Sequence, residues 1–327
     1  MRPPIFCHLR SSVAANFVYM QGFETGRAAG KLPTIPEFLN FWGEKSGLRP
    51  QRSQAHLLYR PLIPAETTTP DQTTIPEDFI ALDGVHMVYG KRVVFESLTC
   101  GFPGGRISVI LGGSGSGKST ILRLIGGLAR PRSGAVLVDG LDITGLSERN
   151  LGVVRRKLGM MFQGGALLDS YSVFENVALP LREQRRLSAA AINDEVHSTL
   201  KAVGVGDSDR LLPGELSGGM LRRVALARAI IGKPLVLLCD EPFSGLDPVS
   251  IRRMEALLMQ INKQYGITMI VVSHDIHSTL RMADQILLLL EGRVITGTPD
   301  ELRQSRDPLA REFFDEGMGR ASTARAR

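Results

Sequence analysis

From residue 79 onward the order of apolar and polar positions becomes regular. Residues 79–88 and 93–100 read as strands around a turn at Tyr89-Gly90-Lys91-Arg92. After Pro103-Gly104-Gly105, residues 107–111 read as a buried strand. A helix is expected over 118–128. Ile121, Leu124, Ile125 and Leu128 share one face there, and Pro131 forbids continuation. Residues 135–138 read as a strand and 172–232 as mainly helical. Residues 235–239 form a continuous apolar run, the kind buried on both faces of a parallel sheet. A helix over 250–265 ends at Gly266. A second buried strand follows at 267–272, and 285–290 with 293–296 form a hairpin across Glu291-Gly292. Antiparallel strands first, then alternating strands and helices, argue an α/β domain with an added β layer.

Residues before 77 follow another rule. The stretch 60–76, RPLIPAETTTPDQTTIP, has four prolines and five threonines. Its few large apolar groups cannot offset the entropy of ordering, so it reads as a flexible linker. Upstream, Ile35, Phe38, Leu39 and Trp42 fall at helical spacing behind a Thr34 cap and Pro36. The reading preferred for 1–76 is a poorly ordered extension; a short amphipathic helix touching a membrane or partner is the other. No secretory signal pattern is present at the start.

Composition narrows the function classes. Cys7, Cys100 and Cys239 are too scattered for a ligand motif or a disulfide framework, which suits a reducing compartment. No apolar run approaches the ~20 residues of a spanning helix. The net charge of +6 divides evenly. Residues 1–75 hold eight basic and five acidic residues, and the remainder holds 31 and 28. The main part is thus nearly balanced, and a nucleic-acid surface is not indicated.

The chemistry is concentrated in three segments. Gly112-Gly113-Ser114-Gly115-Ser116-Gly117-Lys118-Ser119 fits G-x-x-x-x-G-K-[ST], after a strand and at the opening of a helix that continues through Thr120. The glycines let successive N–H groups face a phosphate, and the helix N-terminus adds positive charge. In such a loop Lys118 reaches the β- and γ-phosphates and Ser119 binds Mg²⁺. The strand at 235–239 delivers Asp240 and Glu241 to its C-terminal edge, where α/β sheets bind ligands. Asp240 is the candidate Mg²⁺ holder and Glu241 the candidate general base. Ser217 caps a third helix at Leu216-Ser217-Gly218-Gly219-Met220, making a second anion site. Arg222, Arg223 and Arg228 fall on its expected polar face.

Together these segments resemble an ATP-binding cassette ATPase, the motor of ABC transporters, over residues 79–297. The resemblance implies a P-loop NTPase fold with a RecA-like core, an antiparallel β subdomain and an inserted helical subdomain near 165–232. It implies an extension and linker at 1–76, a nucleotide-binding domain at 77–300, and a C-terminal segment with a basic tail at 301–327. It implies ATP and Mg²⁺ as ligands, with Gly112 to Thr120 as the cradle. Tyr89 resembles the aromatic that stacks on adenine; a strand-edge tyrosine is the other reading. Gln163, in Met160-Met161-Phe162-Gln163, resembles the glutamine that touches Mg²⁺ and senses the membrane partner; a surface glutamine is the alternative. His274 resembles the switch histidine at the γ-phosphate, and Ser244-Gly245-Leu246-Asp247 the loop that crosses a dimer. Met220 departs from the glutamine common at its position. The family also implies a second ATPase subunit, against whose ATP Ser217, Gly218 and Gly219 close.

Three stretches point to one branch. Residues 162–183, the signature with Met220, and Asp240-Glu241-Pro242-Phe243 are similar to ATPases of bacterial phospholipid-trafficking systems that work with MCE-domain proteins. Residues 307–314 are similar to that group's C-terminal segment. The implied partners are membrane permeases and an MCE-domain lipid-binding protein, at the cytoplasmic face of the inner membrane. Coupling is expected through a surface groove near Gln163, with Leu167, Leu168, Tyr171 and Phe174 as the permease-facing groups; the other reading is that they fill the subdomain's own core, as some of them must. Lipoprotein-release, cell-division or small-solute-uptake ATPases are the alternative, and nucleic-acid or ribosome-acting ATPases a remote one.

Overall fold

The computed structural model describes residues 78–290 and 292–317. The helix expected near 34–42, the linker, Glu291 and the tail beyond 317 lie outside the described residues. Two sheets organise the rest. The first is antiparallel, in the order β2-β1-β4-β5, with β1 Asp78–Tyr89, β2 Arg92–Pro103, β4 Ser133–Val138 and β5 Leu141–Asp142. The second has six strands in the order β10-β9-β3-β8-β7-β6. These are β3 Ile107–Gly112, β6 Leu158–Met161, β7 Val236–Asp240, β8 Thr268–Val272, β9 Gln285–Leu290 and β10 Arg293–Gly297. All its pairings are parallel except β9 with β10.

The central strands are mostly apolar because both of their faces are covered, and their buried polar side chains, Ser108 and Thr268, are hydrogen-bonded to Gln285 and to the Gly105 N–H. Every residue of β3 and β8 is buried. Successive side chains serve different cores. Val236 and Leu238 face a core shared with the antiparallel sheet and α1 (Lys118–Ile125), while Leu237 and Cys239 face the helical side. Helix α1 is shorter than expected. It stops at Gly126, and Gly127 then turns left-handed at φ 63°, ahead of Pro131.

The region 172–232 is helical. It holds α3 (Val173–Gln184), α4 (Ala189–Ala202) and α5 (Gly218–Ile230). Helix α3 opens with a reciprocal capping box between Ser172 and Glu175. Behind it Asn176 is fully buried and ties the preceding loop together. Its side chain accepts from the Leu168 N–H and donates to the carbonyls of Leu168, Tyr171 and Ser172 at 2.8–3.1 Å. Helix α6 (Pro248–Tyr265) is capped by Asp247, whose carboxylate accepts from two N–H groups, and ends at left-handed Gly266. The sequence pattern gave no sign of α2 (Glu148–Arg155), β6 or α7 (Ile276–Met282). The chain closes with α8 (Pro299–Arg303) and α9 (Pro308–Gly317), whose Ala310 and Phe314 enter the helix-side core.

Candidate functional site

Four parallel strands end at one sheet edge. The register sets Ile110 of β3, Val272 of β8 and Asp240 of β7 at one level, with Met161 of β6 beside Cys239. The residues that follow each strand therefore gather there: the glycine-rich loop, Ser273-His274, Glu241 and Gln163.

Glycine is obligatory at two points of the loop. Gly112 has φ 151°, and a Cβ on it would lie 2.3 Å from the Leu289 carbonyl oxygen. Gly117 has φ 103°, and its Cβ would lie 2.5 Å from the Phe95 ring. The floor of the loop is thus the start of β2. Arg92, cross-strand partner of Tyr89, adds a bond from Nη2 to the Gly115 carbonyl at 2.9 Å. Sequence reasoning passed over Arg92, since no local pattern reports a contact 23 residues away.

Lys118 is buried and donates to the carbonyls of Gly112 and Gly113 at 2.9 and 2.8 Å. Burial lowers its pKa, against the opposing pull of the Glu241 and Asp240 carboxylates. Ser119 donates its hydroxyl to Asp240 Oδ1 at 2.9 Å. These paired hard oxygens suit Mg²⁺. The Ser116 hydroxyl is buried without a partner among the described residues, and a phosphate oxygen is the kind of group that would satisfy it. Thr120 is buried in the first turn, its N–H bonded to the Gly117 carbonyl.

Glu241 holds a left-handed backbone at φ 51°, fixed by a 3.0 Å bond from its N–H to the Val272 carbonyl. Such a conformation costs a non-glycine residue of order 1 kcal/mol or more and collects at functional sites. Its carboxylate, 13% exposed, contacts Nδ1 of His274 at 2.8 Å, while the imidazole is 69% exposed. Cys239 is no competing nucleophile, because burial pushes its thiol up to about 12.

The structure thus brings Lys118, Ser119, Asp240, Glu241 and His274 together. Gln163 stands exposed at the same edge, and Tyr89 lies on the hairpin beside the loop. Ser217 does not join this group within one chain. Its hydroxyl accepts from the Met220 N–H at the exposed start of α5, before Gly218 and Gly219. Met220 packs on the helix-side core.

The polar face expected at Arg222, Arg223 and Arg228 is turned to other segments of the protein. Each is partly buried and donates to a carbonyl on another segment: Ser244, Val203, and both Gly165 and Ala166, respectively. Of the expected permease-facing groups, Leu168 and Tyr171 are exposed. A groove of about 780 Å³ opens beside the site, lined in part by Phe162, Ala166, Leu179, Pro180, Glu183 and Arg228. Leu167, Leu168, Tyr171 and Phe174 do not line it. Leu167 and Phe174 pack on the core, and the Phe174 ring lies 5.6 Å from that of His197.

Comparison with known proteins agrees with this geometry. The family model for the ABC transporter matches residues 95–244. The chain is 40% identical over 239 residues to "Intermembrane phospholipid transport system ATP-binding protein MlaF" of Escherichia coli (strain K12), covering 73% of this chain and 89% of that protein. It is 38% identical over 237 residues to "Probable ribonucleotide transport ATP-binding protein mkl" of Mycobacterium leprae (strain TN), covering 72% and 68%. Among solved structures it is similar to the "Dimeric structure of a post-hydrolysis state of the ATP-binding cassette MJ0796 bound to ADP and Pi". There the TM-score is 0.63 at 31% identity, covering 67% of this chain and 98% of that one.

Proposed function

The chain belongs to the ABC transporter family as an ATP-hydrolysing subunit, and on that premise we propose that it powers phospholipid transport between the inner and outer membranes of a bacterium. The observation that carries the lipid reading is the 40% identity to a phospholipid-transport ATPase across 73% of the chain. Nothing in the site itself touches a lipid.

The residues divide the work as follows. Tyr89 stacks on adenine, and the N–H groups of 112–120 hold the phosphates with Lys118. Ser119, Asp240 and Gln163 would hold Mg²⁺, which would supply neutralisation of the phosphate charge. Glu241 takes the proton of the attacking water, and His274 contacts the γ-phosphate.

The Ser217-Gly218-Gly219 corner faces outward, so it completes the site of a second copy or paralogue. Ser217→Arg is expected to leave nucleotide binding by the monomer intact and to abolish ATP-driven dimerisation and turnover. Light scattering with and without ATP reads the dimerisation, and normal dimerisation of the variant would exclude this trans arrangement.

No helix among the described residues is long and apolar enough to cross a membrane. In the phospholipid-transport reading, coupling passes through separate permease chains, with an MCE-domain protein as the lipid-binding partner and this subunit bound peripherally at the cytoplasmic face. The groove between Phe162 and Leu179 is the docking surface. Leu179→Asp is expected to preserve nucleotide binding and to prevent capture by vesicles from the cells' inner membranes. Unchanged capture would remove the groove from the pathway. Cells carrying only a turnover-dead subunit are expected to accumulate phospholipid at the outer surface. Normal surface lipid with a solute-uptake defect would instead favour small-solute transport, the activity in the mycobacterial relative's name.

A further inference from the structure

We propose that Arg228 is a positioning residue for Gln163, linking the place of that glutamine to helix α5, which carries Ser217. The inference rests on the ATPase reading above and goes beyond it, since it assigns a role to a residue outside the nucleotide site.

The geometry is local and specific. Gln163 sits in a turn closed by the Gly165 N–H on the Phe162 carbonyl at 2.9 Å. Gly164, Gly165 and Ala166 then run left-handed in succession, at φ 79°, 87° and 47°. Glycine takes such angles freely; Ala166 does so at a cost of order 1 kcal/mol, so something outside the loop must hold it there. That hold comes from α5 in two ways. Gly165 lies flat on the helix, where a Cβ would meet Leu221 at 2.6 Å and Ala225 at 3.4 Å. The Arg228 guanidinium reaches back with Nη1 to the Ala166 carbonyl and Nη2 to the Gly165 carbonyl, both at 2.9 Å. No carboxylate forms an ion pair with Arg228 among the described residues, so its directed contacts are these two carbonyls. Burial lowers its pKa, as expected for a desolvated cation without a counter-ion.

A planar fork on two adjacent carbonyls fixes orientation as well as distance, which a lysine ammonium cannot reproduce. Displacement of the second half of α5 therefore pulls directly on the turn that presents Gln163. The same helix opens at Ser217 and, through Arg222, holds the Ser244 carbonyl at 2.9 Å.

The test uses the purified full chain as unaltered protein, Arg228→Lys, Gln163→Ala and the double variant. Hydrogen exchange at Gly165 and the Mg²⁺ concentration for half-maximal ATPase are both read, with melting temperature as the folding control. Arg228→Lys should speed exchange at Gly165 and raise the Mg²⁺ requirement roughly three- to tenfold. Adding it to Gln163→Ala should shift that requirement no further. An equal shift in both backgrounds, or unchanged exchange at Gly165, overturns the proposal. If Gln163→Ala leaves the Mg²⁺ requirement unmoved, the metal role of Gln163 fails first and takes this inference with it, while the ATPase reading stands. Arg228→Gln, which retains a donor, is the second variant. If neither Arg228 variant folds, the residue is a pillar of the fold and the proposal is overturned.

Discussion

Glu241→Gln is expected to bind ATP as the unaltered chain does and to hydrolyse it about 10²- to 10⁴-fold more slowly. The amide keeps the shape of the side chain and its place beside His274 but cannot take a proton from water. Asp240, Ser119 and Lys118 remain, so nucleotide and Mg²⁺ contacts survive. The backbone consequence is small too. The left-handed conformation at 241 is fixed by the N–H bond to Val272, and glutamine retains that N–H. Equilibrium binding by a fluorescent ATP analogue and phosphate release separate the two effects. Near-normal phosphate release would remove Glu241 as the base.

Lys118→Ala has the second large effect, and it falls on binding. A charge-assisted hydrogen bond contributes about 1.5–3 kcal/mol, and every 1.4 kcal/mol is tenfold in affinity. Losing one or two such contacts with the phosphates should weaken ATP roughly 10- to 10³-fold. The substitution also leaves the Gly112 and Gly113 carbonyls without their donor and Asp240 and Glu241 without the nearby cation. Lys118→Arg should not restore binding, because a planar guanidinium is too large for a cradle whose glycines already touch Leu289 and Phe95. Calorimetric titration with ATP checks both. Retention of full affinity by Lys118→Ala would sink the phosphate-cradle reading.

Much of this site was readable in the chain because its chemistry needs backbone geometry that few residues supply. The loop needs glycine at 112 and 117, and the strands behind it need mostly apolar residues that can be buried on both faces. The signature helix needs a capping serine, which the structure confirms on the Met220 N–H. The missed parts share another cause. Residues 148–161 pack an eight-residue helix and a four-residue strand, too short for either period to declare itself. The carbonyl partners of the α5 arginines were not readable, because a solvated face and a set of long side chains reaching foreign carbonyls give the same sequence pattern. Only the fold distinguishes them. Apolar character alone did not divide the segment's outward groups from those in its own core: Tyr171 is exposed, whereas Phe174 is taken up by the helical layer's own packing.

The central strands have no face turned to water, and that sets where this protein is free to change. The two polar side chains already buried in these strands, Ser108 of β3 and Thr268 of β8, each have a hydrogen-bond partner. A polar substitution at one of the apolar positions brings in a group with no partner in place, at a cost of roughly 1–3 kcal/mol. The carboxylates and the histidine at their ends therefore stand on the least revisable part of the chain. The groove, by contrast, carries exposed side chains such as Arg156, Phe162, Glu183 and Arg186 over a floor that includes buried Gly159 and Ala229. Those exposed positions can change without disturbing either core. With the groove as the proposed docking surface, a lineage can re-address this motor to a new membrane partner while inheriting the same engine, and an engineer can do so by the same route.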